Sequence, residues 1–544
     1  MVVGKTKTLP IGITNVGGAS CGIGSLNFVN GFGAGIGGGF CTGGTKCGEY
    51  QIVAPGVLGS LPPGQTTQVN VAFSPTSTNQ VPQLPSVYFN FRSGDSAAAS
   101  ECTTTFPADS SNGCIDVAMS GQGDISNLEI IPGDLDFGLV TLGCKSRTQT
   151  VALYNTGAST AIHIQGITLD PATAPYYLQA PPTPFTINAG SKVSFQLTYK
   201  PTQTAVESAT LKIQSDASNT TSNNPYLTVG LKGQGTTDKH QTDTFNQAAV
   251  PKVDMLFVVD DSGSFSFYQN QISQQASKFI NAALKYHADY QIGVSSNDVQ
   301  QTNADSSASY PGSAIDVGGL WGQPGIVTNS TPDPVGAFSK NIKLGTSGTA
   351  QREAGLELAR DVLTAPSNQK PPPQGSQGFL RDDARLVVIE VQDDDDESNG
   401  STSYFIDFFK NLKGQYNAGL VSFNAVGDFD PQTNLPTTDC VGNGEPPGQR
   451  YYDVSQGTAG KTWSLCNADW GTIADDLALG AFAGRKQFPL SRTADPATVK
   501  VQLNGAPQTV NKDYLFDQPS NSVLFAAVPL AGATIVVDYD ALCL

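Results

Sequence analysis

The chain has 544 residues, room for about three to five domains, and its 39% apolar content supplies sizeable cores and excludes a wholly disordered chain. Charged residues are only 14% and the net charge is −17, which opposes a phosphate backbone or an anionic lipid face and argues against nucleic-acid binding. The sequence has no apolar run of about 18 residues, so no helix is expected to span a bilayer.

The N-terminus, MVVGKTKTLPIG, lacks the charged and long apolar stretches of a secretory signal, so either export is signalled by residues not present in this sequence or the chain stays inside. A surface built from Ser, Thr, Asn and Gln suits a secreted or cell-surface protein. The nine cysteines have neither CxxC spacing nor a histidine partner for a dyad, which leaves disulfides as their expected use. Cys102–Cys114 and Cys440–Cys466 are the expected pairs, and the odd count leaves one thiol free or bonded elsewhere.

In chain order, an internal repeat comes first. KTKTLPIGITNVGG (5–18) matches KSRTQTVALYNTGA (145–158), and LPPGQTTQVNVAFSP (61–75) matches INAGSKVSFQLTYKP (187–201). Each copy alternates apolar and polar residues with period 2, breaks at an Asn-x-Gly turn and ends in a Gly-Gln-Gly segment. The spacing predicts two antiparallel β-sandwiches, over 1–123 and 124–236. The tract GFGAGIGGGF (31–40) has no strand–helix context for a dinucleotide loop and reads as an insert. The run LDFGLVTLG…VALYNTG…INAGSKVSFQLTYKP…LKGQG resembles immunoglobulin-like domains of the abnormal-spindle/hydin type, the choice-of-anchor D repeats of bacterial surface proteins. The resemblance implies scaffolding rather than catalysis. Copy one lacks the counterpart of LDFGLV. Either the natural chain starts upstream, or another subunit donates a strand, which would allow self-assembly.

Residues 237–252 are polar and read as a linker. Beyond them VDMLFVV (253–259), YQIGVSS (290–296), ARLVVIEVQ (384–392) and GLVSFNAVG (419–427) read as strands buried on both faces. Helices are expected over 269–284, 350–363, 403–414 and 470–484, with an irregular Ser/Gly/Pro excursion over 297–345. The alternation predicts a doubly wound α/β domain over 253–487. A small β module follows over 488–544, too small to stand well alone.

The residues that carry chemistry are Asp260-Asp261-Ser262-Gly263-Ser264, at the carboxyl end of the first α/β strand and just before a helix. Asp260, Ser262 and Ser264 offer hard oxygen donors suited to magnesium, manganese or calcium, whereas Asp261 and Gly263 would face away. This DxSxS after VDMLFVV resembles the metal-ion-dependent adhesion site of von Willebrand factor A domains. The resemblance implies a divalent metal ion, magnesium foremost, held by Asp260, Ser262, Ser264 and a threonine in LGTSGTAQREAGLELAR, with Asp393 acting through water. Thr349 fits that threonine, with Thr346 as the alternative. The acidic run Asp393–Glu397 reads as a solvated loop, with a supplementary calcium site as the other reading. The sequence from GQRYYDVSQG to ATVKVQLNG resembles surface proteins of myxobacteria and related bacteria.

The family logic implies an adhesion protein in which the ion binds a carboxylate of a protein ligand or sister subunit, carried on a stalk of sandwiches. A structural subunit of an extracellular filament, appendage or envelope assembly is the alternative. No enzyme is expected: Asp260-Asp261-Ser262 lacks the second Asp of a haloacid-dehalogenase motif, and no GxSxG is present. His163, His240 and His287 read as surface or structural residues.

Overall fold

The computed structural model describes residues 7–30, 46–47, 50–54, 60–74, 87–94, 114–119 and 126–544, apart from 222–223, 264, 300–301, 304, 312, 347–351, 415, 439–447, 467–468 and 483. The tract 31–40, Cys102, Cys440, Ser264 and Thr349 lie outside the described residues.

The period-2 segments of the first repeat form two four-stranded sheets. In one, Lys7–Thr14, Thr66–Phe73, Tyr50–Ala54 and Lys46–Cys47 lie side by side; in the other, Ser60–Leu61, Cys21–Asn30, Val87–Gly94 and Cys114–Met119. The second repeat has the same plan with one more strand in one sheet. Asp134–Thr141 runs parallel to Tyr226–Thr236, and Leu128–Ile131 lies against Gln149–Asn155. Its core is the inward set of both sheets, including Leu153, Phe195, Leu197, Ile213 and Val229.

The Asn-x-Gly break that marks the repeat has one physical basis in both copies. The Asn15 amide donates to the carbonyls of Leu61 (2.7 Å) and Ala19 (2.8 Å), and its oxygen accepts from the Gly17 N–H. Asn155 does the same toward Ile187 (3.0 Å), Thr160 (2.8 Å) and Gly157. A buried asparagine thus satisfies backbone groups that the turn leaves without ladder partners.

The continuous apolar segments lie together in a six-stranded sheet. Its order is Ile326–Thr328, Asp289–Ser296, Lys252–Val259, Arg385–Val391, Val421–Gly427, Thr462–Ser464. The last five are mutually parallel, and Ile326–Thr328 is an antiparallel edge. Around it lie α1 (Ser266–Gln274), α2 (Ala276–Lys285), α3 (Pro334–Asn341), α4 (Gly355–Leu363), α5 (Thr402–Asn411), α6 (Gln449–Gly457) and α7 (Trp470–Phe482). The helix expected over 269–284 is two helices, because the backbone leaves helical geometry at Gln275.

The fold class expected from the sequence is corrected. The chain as a whole is mostly β, with its strands spread over many small sheets, and strand residues outnumber helical ones among the described residues. A doubly wound von Willebrand factor A domain over 253–487 is not the class that describes it. The six-stranded sheet is mixed, its helices are short, and the described residues of 297–354 contribute short strands, turns and the eight-residue α3. Periodicity identified the buried strands but could not show that the Ser/Gly/Pro excursion would add an antiparallel edge.

The polar segment read as a linker includes a strand. His240–Asn246 pairs antiparallel with Thr534–Asp540 and so joins the C-terminal sheet, which continues through Lys500–Leu503 and Ala506–Pro507. A second sheet of Gln487–Pro489, Ser522–Phe525 and Tyr514–Asp517 closes a core around Phe488, Val523, Ile535 and Val537.

The second sandwich is fastened at two places. Tyr154 packs its ring 5.4 Å from that of Tyr404 on α5 and donates a hydrogen bond to Asp407, while Lys192 donates to the Tyr154 hydroxyl (2.9 Å). Toward the C-terminal module, Cys144 is disulfide-bonded to Cys543, a pairing the sequence reading did not anticipate. Cys466 is also disulfide-bonded. Closing so long a loop restricts the unfolded chain, so Cys144→Ser is expected to destabilise the sandwich–module junction by about 2–4 kcal/mol. Thermal melts of oxidised wild type and variant test this; equal midpoints would contradict it. Among the described residues no helix is long and apolar enough to cross a membrane.

Candidate functional site

The buried strand Lys252–Val259 delivers Asp260 to its carboxyl end, where the Asp260 N–H still donates to the Val391 carbonyl of the neighbouring strand (3.0 Å). In parallel sheets this end, outside the strand termini, is where ligands bind. The Asp260 carboxylate accepts from the Ser262 N–H at 2.6 Å, so the loop turns back over it. Asp393, just beyond the end of Arg385–Val391, is buried beside it, and the two side chains are within hydrogen-bonding reach. The sequence-predicted Asp260 and Asp393 are therefore brought together, with Ser262 over them. Thr346 is not among them: its hydroxyl donates to Asp305 (2.9 Å) in another loop.

Other residues complete the surroundings and were missed by sequence reasoning. Glu353, just before α4, accepts from the Asn297 amide at 3.4 Å and faces Asp260, Asp261, Asp393 and Asp394. Asp428, at the end of Val421–Gly427, is wholly buried nearby; burial, then Asp393 and Asp428, raises the Tyr268 hydroxyl pKa. Asp261, expected to face away from the ion, is wholly buried and acts on Glu353. The backbone turn puts both adjacent carboxyls inside.

Gln269 on α1 is the positioning residue of the site. Its amide donates to the carbonyls of Asp260 (2.8 Å) and Gly345 (2.9 Å) and accepts from the Gly345 N–H (3.0 Å). It thereby ties the Asp-Ser loop to the loop that carries the expected threonine. A glutamine among the apolar positions of a helix was the available signal.

The electrostatics follow from burying carboxyls together. Burial, then the Glu353 and Asp393 carboxylates, holds the Asp260 carboxyl well above its ordinary range. Burial and then Asp394 and Asp393 push Glu353 up to about 8. The acidic run is not the solvated loop expected. Asp396 is buried, accepts from the Leu356 N–H of α4 (3.2 Å) and is paired with Arg450 at 2.9 Å. Arg450 also donates to the carbonyls of Ser398 and Gly400. One arginine and a helix N-terminus thus organise that segment.

Among the described residues no group of three or more His, Cys, Asp or Glu side chains is arranged to hold a metal ion. The donor set expected here is of another kind, one buried carboxylate with hydroxyls and a second carboxylate through water. The described part of it fits a divalent cation, since Asp260, Ser262 and Asp393 are hard oxygen donors gathered where like charges oppose one another.

No family model and no curated protein matches this chain. Several solved structures resemble parts of it. The proximal thread matrix protein 1 of the mussel byssus is 15% identical over 45% of this chain and 49% of its own, with a TM-score of 0.25. The pilus adhesin SpaC of Lactobacillus rhamnosus GG is 10% identical over 68% of this chain and 44% of its own, also at 0.25. The Vibrio cholerae VesB protease is 14% identical over 20% of this chain and 31% of its own, at 0.17. The chain spans between 31% and 49% of each of these proteins, and similarity this low carries no argument about function.

Proposed function

We propose that this protein is a secreted or cell-surface adhesion or assembly protein that binds an acidic group of a partner protein through a divalent cation. The observation that carries the reading is the burial of Asp260 against Asp393 and Glu353 at the strand ends. Asp260 and Ser262 would hold the ion, Asp393 would act through water, and Ser264 and Thr349 are the expected further donors. Magnesium is the first candidate, with manganese or calcium as alternatives. Once bound, the ion supplies an electrophilic position for a partner's carboxylate. The chain's own residues shape that position: Gln269 fixes the two loops, and the Ser262 N–H orients the Asp260 carboxylate. Disulfide bonding at Cys144, Cys543 and Cys466 supports an oxidising compartment.

A structural subunit is the second reading, supported by the covalent and packed attachment of the second sandwich to the rest of the chain.

The test is calorimetric titration of magnesium, manganese and calcium into chelator-treated protein, wild type and Asp260→Asn. Stoichiometric binding in the wild type, weakened by about two orders of magnitude in the variant, is expected. A second readout works on folding: in chelator Asp260→Asn should melt higher than wild type, because it removes one of several opposed carboxyls. Saturating ion should reverse that order, because the wild type gains more binding energy than the variant. Absence of binding, or equal binding by both proteins, would overturn the reading.

A further inference from the structure

We propose that the base of the six-stranded sheet, at the opposite end from Asp260, is a docking surface for an acidic, amphipathic segment of a separate partner protein. Arg385 opens the strand that Asp393 follows, so the two lie at opposite poles. Arg385 donates to the carbonyls of Gly480 at the end of α7 and of Gly419. Arg485 donates to the Asn417 side chain (3.2 Å) and the Gln487 carbonyl (2.6 Å). The two guanidiniums therefore bracket residues 417–419 with no ion-pair partner among the described residues. Burial lowers the pKa of both, and Arg385 lowers that of Arg485 further. In a chain of net charge −17, two adjacent arginines without a carboxylate are a local reversal of sign.

Exposed apolar side chains lie at the same pole. Leu479 on α7 is 58% exposed and Leu284 on α2 is 50% exposed, and these two helices end together where the rings of Tyr286 and Phe482 stack at 5.7 Å. Val528 (40%) and Leu530 (81%) project from the C-terminal module beside Gly484, where an added Cβ would lie 2.8 Å from the Val528 side chain. Single exposed leucines are ordinary, but exposed apolar side chains at the same pole as two arginines that have no ion-pair partner among the described residues fit an interaction site. The chemistry it fits is a segment with carboxylates for the arginines and apolar side chains for the exposed apolar ones. Charge decides between occupants, since a second copy would bring another −17 whereas a short acidic segment brings only the complementary charges.

The experiment is fluorescence anisotropy in chelator, which makes it independent of the cation site. The probe is a labelled helical peptide with Leu on one face and Glu on the other; its counterpart has Lys for Glu. Binding of the Glu peptide alone is expected, weakened about tenfold in Arg385→Gln/Arg485→Gln and in Leu479→Ser/Leu530→Ser, and weakened by high salt. The leucines are exposed, so the second variant keeps the test valid if the first folds poorly. Equal binding of both peptides, no binding of either, or unchanged binding by the leucine variant overturns the proposal. Self-association in sedimentation that the leucine variant abolishes would overturn the assignment to a separate partner.

Discussion

Replacing Arg381 by Ala is expected to cost about 3–5 kcal/mol, because it strips a wholly buried carboxylate of its main partner. Asp254 lies in the central strand Lys252–Val259 with no exposed surface. Arg381 donates to it twice, from its side chain (2.7 Å) and from its backbone N–H (2.8 Å), and also to Asp289 (2.7 Å) and the Val253 carbonyl (3.1 Å). Without the guanidinium, Asp254 keeps the backbone bond and Lys413, whose ammonium is 4.0 Å away. Burial already holds the Asp254 carboxyl above its ordinary range despite Arg381, which opposes it. The sign of the pH dependence follows. A carboxyl whose folded pKa exceeds its unfolded one binds protons preferentially when folded, so its unfavourable contribution diminishes as pH falls through the folded value. The deficit of Arg381→Ala should therefore be largest at neutral pH and shrink under mild acid. Trp321, Trp463 and Trp470 are all the tryptophans of the chain and all lie in this region, so their fluorescence during urea unfolding reports it selectively. A deficit that grew toward acid pH would contradict the account. So would an Arg381→Met/Asp254→Leu double variant no more stable than Arg381→Ala, because removing both partners leaves no uncompensated charge.

Arg492→Leu is expected to cost about 3–4 kcal/mol and to loosen the second sandwich from the C-terminal module. The side chain is buried and donates to the Thr141 hydroxyl (2.8 Å) and to the carbonyls of Asp238 (3.0 Å) and Leu139 (3.2 Å). A leucine fills part of the volume but leaves these acceptors without a donor, at about 1–3 kcal/mol for each that water cannot reach. Hydrogen exchange should accelerate around residues 139–141 and 237–241 while the exchange of Lys252–Val259 stays as in the wild type. Uniform acceleration across the chain would mean that Arg492 supports the whole fold rather than this junction.

The repeats were legible because the same buried asparagine solves the same turn in each copy, so Asn15-Val16-Gly17 and Asn155-Thr156-Gly157 are visible as a recurrence. The parallel strands were legible because burial on both faces requires unbroken apolar runs. Asp260 and Asp393 could be singled out because each lies at the end of such a run. Asp428 ends a third run but was overlooked, and Glu353 was illegible because it precedes a helix and no local pattern marks it. The strand His240–Asn246 was hidden for a similar reason. Its outward face is polar, and its partner Thr534–Asp540 lies nearly 300 residues away.

The sequence by itself determined the repeated period-2 strands and the buried parallel strands, because periodicity and turn chemistry are local. Only the tertiary structure decided the class of the assembled chain, the Cys144–Cys543 bond, the burial of Asp261 and the capture of Thr346 by Asp305. Each of these depends on which distant segments meet, and the free energy of burying polar groups together is fixed only when they do.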